Sequence, residues 1–337
     1  MNKLTKLGVS ALCGSLAGIS AANAGDLSVT GGVDMSWISL DDETTQNPIG
    51  IGSNLTFSGS GELDNGWNVA LSVANTNANA YSNTNVTVTV PSLGDFRISQ
   101  GVSGSGIDRM DDVTPNVWEE AYGTGLGTGI NTVGGISGSA NIEYTPNMMP
   151  DGITARLSWT PNAGGSAGAD KTASAGQGPK GSGYDVTVEL GEAVLGTPGL
   201  SIGAGISQTD QDQTSTTYNG DVEEKTMYIK YAAAGFTLGY QWSEEDMGTA
   251  ASEMQYDNTG YGITFQVNDD LSIGYNHYES EQDSTTDVTA EASSFQIAYT
   301  MGGASIRIAE ASADNMKYQT TATYDRDATT VSVSLAF

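Results

Sequence analysis

The stretch Met227–Trp242 reads MYIKYAAAGFTLGYQW. Met227, Ile229 and Tyr231 alternate with Tyr228 and Lys230. After the short turn Ala232–Gly235, Phe236, Leu238, Tyr240 and Trp242 alternate with Thr237, Gly239 and Gln241. A period of two puts successive side chains on opposite faces, so this stretch reads as two strands of one hairpin. One face is apolar and ringed by aromatics at its ends. The other is polar and carries the single charge, Lys230.

The same pattern extends in both directions. Toward the N-terminus it occupies Leu27–Trp37, Ile51–Leu63, Trp67–Val73, Val86–Val90, Asp95–Gln100, Ala140–Thr145, Ile153–Trp159, Tyr184–Leu190 and Leu200–Ile206. Toward the C-terminus it occupies Tyr261–Val267, Leu271–Tyr275, Phe295–Tyr299, Ile306–Ile308 and Thr329–Phe337. Glu279–Glu291 and Ala311–Ala328 read as the last two long loops. The expectation is an all-β chain of about sixteen strands, joined alternately by short turns and long acidic loops.

Gly101–Ser139 breaks the rhythm. It reads GVSGSGIDRMDDVTPNVWEEAYGTGLGTGINTVGGISGS, with no helical or strand period and five carboxylates. A structureless run of this length within a compact domain is normally functional or disordered. Strands bracket it, which favours a loop held inside a sheet-built wall over a disordered surface insertion.

Composition narrows the class. Met1–Ala24 has Lys3 and Lys6, an apolar run Leu7–Ile19 and the A-x-A site Ala22-Asn23-Ala24, so residues 1–24 read as a cleaved signal peptide. The one cysteine, Cys13, lies within it, so residues 25–337 must hold together without disulfides. A formal net charge of −28 makes nucleic acid a poor partner. Hydrophobic content is 38%, low for a soluble core of this size but sufficient for a wall with one face toward lipid.

Charge and aromatic placement separate a membrane barrel from a soluble sandwich. Within strands, Arg97, Arg156, Lys230, Arg307, Glu62, Glu143, Asp185 and Glu189 all fall on the polar face. Lipid excludes charge from the opposite face. On the apolar face, Trp67, Phe96, Tyr144, Tyr231, Phe236, Tyr299 and Phe337 gather beside short turns. Trp37, Trp159, Tyr184, Trp242 and Tyr275 gather near long loops. Two bands at opposite rims are what two membrane interfaces select.

Catalytic chemistry has little to work with. His277 is the only histidine and reads as an interfacial residue at a strand's loop end. GQGPKG at Gly176–Gly181 matches a nucleotide motif by letter but opens no helix. The acidic clusters Asp41-Asp42-Glu43 and Glu244-Glu245-Asp246 offer oxygen ligands for Ca²⁺ or Mg²⁺, without the spacing of a known calcium loop.

The C-terminal TTVSVSLAF, the segment SLGDFRISQG at Ser92–Gly101 and the strand-and-loop order resemble the Gram-negative outer-membrane general porins, especially the alphaproteobacterial type. The resemblance implies a transmembrane antiparallel β-barrel in the cell outer membrane. It implies assembly as a homotrimer and passage of small hydrophilic solutes through a water-filled pore. Outer-membrane lipid, lipopolysaccharide and the outer-membrane assembly machinery are its implied partners. It also implies that Phe337 is the assembly signal and that the loop after the fifth strand, residues 101–139, folds inward to narrow the pore. The loop lacks the Pro-Glu-Phe-Gly-Gly run of enterobacterial relatives.

The expected constriction residues are Asp108, Arg109, Asp111, Asp112, Glu119 and Glu120 on the loop, with Arg97, Arg156, Lys230 and Arg307 on the wall. Arg97 is expected to pair with an acid at the loop's base, and Arg109 to do so within the loop. A passive, cation-preferring diffusion channel needs no cofactor. A substrate-selective channel of the same fold and an acidic surface β-protein such as an adhesin are the alternatives.

Overall fold

A computed structural model describes residues 27–41, 47–76, 83–100, 103–164, 180–211, 217–249 and 254–336. The signal-peptide and Phe337 expectations therefore lie outside the described residues, as do Asp42 and Glu43.

Sixteen strands run in chain order: β1 (Ser28–Leu40), β2 (Ile49–Glu62), β3 (Asn68–Thr76), β4 (Asn83–Val90), β5 (Gly94–Gln100), β6 (Asn141–Pro146), β7 (Ile153–Thr160) and β8 (Lys180–Leu190). They continue with β9 (Leu200–Gln211), β10 (Val222–Ala233), β11 (Phe236–Asp246), β12 (Gln255–Gln266), β13 (Leu271–Asp283), β14 (Val288–Met301), β15 (Ala304–Asp314) and β16 (Arg326–Ala336). Each pairs antiparallel with its sequence neighbours. β16 pairs back on β1, from Gly32 opposite Ala336 to Leu40 opposite Ala328, and so closes the barrel. Closure leaves no open sheet edge among the described strands, so the wall's backbone groups can pair with neighbouring strands.

Alternation sorts the faces as the hairpin 227–242 implies. Met227, Ile229 and Tyr231 are about half exposed on the outside, whereas Glu224, Thr226 and Tyr228 are buried toward the lumen. Outward Leu, Ile and Val form an apolar belt suited to lipid hydrocarbon. At the short-turn rim of the belt, Phe236 stacks on Phe265 at 4.3 Å and Phe96 on Tyr144 at 4.6 Å.

Several strands run longer than their alternation suggests. β13 and β14 extend through Glu279–Glu291, leaving a connection of only residues 284–287. Likewise β15 reaches Asp314 and β16 starts at Arg326, inside the segment Ala311–Ala328 expected to be loop. The reason is an inversion of polarity. Beyond the apolar belt the outer face carries Glu279, Glu291, Glu310 and Asp314, while Ala290, Ala292, Ala311, Ala313 and Ala328 are buried on the inner face. Alanine offers little contrast against serine and aspartate, so hydropathy alone does not mark these strand ends.

The buried core lies inside the barrel. Ala121 and Leu126 of the long loop pack with Tyr278, Ala292, Ala311, Ala313, Met316 and Ala328, flanked by Ile38, Leu40 and Tyr122. Small alanines on the wall leave room for the loop.

Candidate channel site

The segment between β5 and β6 folds into the lumen, and wall carboxylates hold its two ends. Glu143 of β6 accepts from Gly106 N at 2.9 Å, Asp185 of β8 from Ile107 N at 3.0 Å and Ile136 N at 3.4 Å, and Glu224 of β10 from Gly134 N at 2.8 Å and Gly135 N at 2.7 Å. A segment without secondary structure must satisfy its amides elsewhere. A carboxyl group has two oxygens and can accept from more than one amide. Ile107 and Ile136 are fully buried and Met110 is 1% exposed beside this anchorage. Gly106 has φ +61°, and a Cβ there would run into the Asp185 carboxylate. Only glycine fits both constraints.

The middle of the loop is lashed by side-chain amides. Gln241 accepts from Val113 N at 3.2 Å and donates to the carbonyls of Met110 and Asp111. Gln296, wholly buried, accepts from Trp118 N at 3.1 Å and donates to Glu119 O at 2.5 Å, and Asn276 donates to the same carbonyl at 3.2 Å. Pro115 sits over the cross-strand pair Gly239 and Gly262, where a Cβ on either would collide with it. Farther along, Thr330 of β16 donates to Thr124 O at 3.0 Å, and Asn131 N donates to the Tyr318 hydroxyl at 2.9 Å. The loop thus follows the inner wall from β6 round to β16. A pocket of about 410 Å³ opens where β1 and β2 meet β15 and β16, with Asp34, Asn54, Thr76 and Arg307 in its lining.

Charge on this loop is one-sided. Asp108, Asp111, Asp112, Glu119 and Glu120 interact with one another, and Asp112 and Glu119 are exposed to the lumen. Burial, then the neighbouring Asp112 carboxylate, pushes Asp111 well above the usual carboxylate range. Burial raises Glu120 to about 7, with Asp112 and Glu119 adding to the effect. Asp108 and Glu119 are also raised, each chiefly by burial. At neutral pH the cluster therefore holds some of its protons.

The chain matches the Gram-negative porin family over residues 8–304. It belongs to that family. The porin is an outer-membrane channel protein, and its closed sixteen-stranded wall is shared with solved porin structures. It is similar to Salmonella typhi OmpF in complex with daunomycin, with 14% identity and a TM-score of 0.67 over 93% of this chain and 98% of that one. Similar too are the trimer form of in-vitro folded OmpT, an outer-membrane protein of Vibrio cholerae (10%, 0.65, 94% and 100%), and a mutant of Rh. blastica porin (13%, 0.57, 93% and 100%). No curated protein is significantly similar to the chain.

Within the porin, the loop acids gather as the sequence suggests, but the bases are distributed differently. Arg109 turns away from the cluster to pair with Glu143 at 2.5 Å, a wall residue rather than a loop acid. Arg97 fixes the loop's base by donating to the Gly104 carbonyl at 2.7 Å, so its partner there is backbone rather than carboxylate. Its strand neighbour Glu143 is committed to Arg109 and Gly106. Arg307 bridges to Asp34 at 2.9 Å, with its guanidinium 6.0 Å from the Trp118 ring. Arg156 and Lys230 meet other wall residues. Arg156 pairs with Glu189, Tyr228 donates to the same carboxylate at 3.0 Å, and Lys230 lies 6.0 Å from the Tyr228 ring.

Sequence reading missed Gln241, Asn276 and Gln296. Their only signal is an amide on the polar face of a strand, which many solvated residues share. It also missed Glu224, whose role needs the loop's return path. The candidate cation ligands Glu244 and Glu245 diverge. Glu244 faces outward to Lys225 at 3.2 Å, whereas Glu245 is buried on the lumenal face. Strand alternation puts Glu245 on the face opposite Glu244 and Asp246.

Proposed function

We propose that this porin is a general diffusion channel that prefers cations, and that the lumenal loop sets the preference. The observation that carries the reading is the charge imbalance across the lumen. The loop offers five carboxylates, while its one base is withdrawn into Glu143. Facing it, β2–β4 present Asn54, Thr56, Ser58, Ser72 and Thr87, with no Lys or Arg among their residues. Two unit charges about 4 Å apart interact by roughly 1 kcal/mol in water and several-fold more at an effective dielectric near 20. Low-dielectric walls focus such a field on passing ions.

Small hydrophilic solutes and ions would cross passively through the remaining opening. Asp108, Arg109, Asp111, Asp112, Glu119 and Glu120 would form one side of the constriction, with Arg97 and Arg307 at its base and rim. The family is one of channels, and the only histidine, His277, lies on the outer face rather than in the lumen, which supports transport over catalysis. The trimer form of Vibrio cholerae OmpT supports a homotrimer here. The exposed apolar row Met35, Trp37, Ile51, Phe57 and Leu71 on β1–β3 offers the contact surface. Residues 1–24 would be removed on export, Phe337 would be read by the outer-membrane assembly machinery, and lipopolysaccharide would surround the long-loop half.

The deciding experiment is the zero-current potential of the reconstituted porin across a KCl gradient. Selection for K⁺, stronger at low ionic strength, is expected. Replacing Asp111, Asp112, Glu119 and Glu120 together by Asn or Gln should move the potential toward zero. Unchanged selectivity in a folded quadruple variant, or anion preference in the wild type, overturns the reading.

A further inference from the structure

Among the described residues, one group of histidine and carboxylate side chains converges, and it lies outside the lumen. His277 and Glu279 project from the outer face of β13, two residues apart. Glu291 projects from β14, directly opposite Glu279 in the register. One ligand atom from each lies within 4.8 Å of the other two. His277 Nε2 is 3.0 Å from Glu279 Oε1. The Tyr261 ring lies against the imidazole, with centroids 5.1 Å apart.

Two features distinguish this group from ordinary surface acid. Like charges directly opposite one another on adjacent strands are destabilising. Glu279 faces Glu291 in that manner, and Glu291 faces Asp314 on its other side. A cation placed between the carboxylates reverses the sign of that interaction. The imidazole is also held close: its side chain is 14% exposed although it lies on the outer face, and Tyr261 limits its rotation. Imidazole with two carboxylates is a donor set for a borderline divalent transition metal, whereas Mg²⁺ and Ca²⁺ favour oxygen alone. Ligand distances near 2.0–2.2 Å for Zn²⁺ require the three atoms to draw in by about an ångström, within the reach of two exposed glutamate side chains.

We infer that His277, Glu279 and Glu291 form a site for a zinc-class divalent metal ion on the outer wall. It stands just beyond the aromatic row of Tyr261, Tyr275 and Phe295, and it clamps β13 to β14. The ion keeps open coordination positions toward the outside, filled by water.

The test is Zn²⁺ titration of the folded, detergent-solubilised porin against a chromophoric chelator, with heat-modifiable gel migration confirming the barrel. One tight equivalent per chain is expected above the weak background of the acidic surface, and excess Mg²⁺ should leave it in place. His277→Gln and Glu291→Gln should each weaken the tight equivalent at least tenfold. Glu310→Gln, which removes a nearby acid outside the trio, should not. Zn²⁺ should also raise the temperature of the gel transition in the wild type but not in His277→Gln. Titration without a tight equivalent, or one that survives both the His277 and Glu291 substitutions, overturns the site. Displacement by Mg²⁺ overturns the assignment to a transition metal.

Discussion

The buried amide of Gln296 holds both main-chain groups of Glu119, accepting from its N–H at 3.3 Å and donating to its carbonyl at 2.5 Å. Glu119 presents its own carboxylate to the lumen. A lumenal charge is thus positioned through its backbone by a wall residue on a strand far along the chain, and the side chain is left free to face ions.

Replacing Gln296 by Leu keeps its size and removes the clamp. The amides of Trp118 and Glu119 then lose their acceptor in a buried setting. An unsatisfied buried group costs about 1–3 kcal/mol. The loop tip should loosen while the barrel stays closed. Single-channel recordings should show added open-channel noise, with heat-modifiable migration unchanged.

Gly106→Ala should displace the loop from β8. Its φ of +61° disfavours alanine, and the new methyl would overlap Asp185. Strain at such positions is on the order of 1–3 kcal/mol. Two outcomes are expected together: a higher single-channel conductance, and trypsin cleavage at Arg109 in the native porin at a rate well above wild type.

Glu143→Gln should lower cation selectivity without touching a loop acid. The substitution removes the negative charge paired with Arg109, leaving its positive charge uncompensated beside Asp108. The glutamine carbonyl oxygen can still accept from Arg109, so the change is chiefly one of charge, and a partly exposed pair contributes modestly to stability. Reversal potential at fixed salt measures the effect. Adding Arg109→Gln should restore most of the wild-type value.

Selectivity should depend on pH near neutrality. Glu120 is raised to about 7 and Asp111 also lies above the ordinary range, so both are protonated when the docked loop is mildly acidified. Raising the pH from 6 to 8 adds negative charge to the lumen, and K⁺ preference should grow. Docking responds in the opposite sense. Raised carboxylate pKa values mean that the docked loop binds more protons than a detached one between about pH 4 and these raised values, so docking is strongest at acid pH and weakens as pH rises through 7. Reversal potential and loop proteolysis, each followed across pH 6 to 8, check the two signs.

The sequence by itself determined the wall. Alternation at Met227–Trp242 and its repeats, the absence of charge from the outer face within the apolar belt and aromatics at two rims are local properties of a strand between lipid and water, so they are written at every second residue. The inward loop was legible as an exception to that rhythm, and its five acids were legible as a cluster. Tertiary structure decided where the loop's charge goes. Arg109 could have joined a neighbouring acid, and only the approach of β6 gives it to Glu143. The amides of Gln241 and Gln296 act on backbone more than 120 residues away, a pairing that no local pattern encodes. The strand ends at Glu279–Glu291 and Ala311–Ala328 were hidden for the same reason. Their inner alanines are buried by the loop, and that burial exists only once the barrel has closed around it.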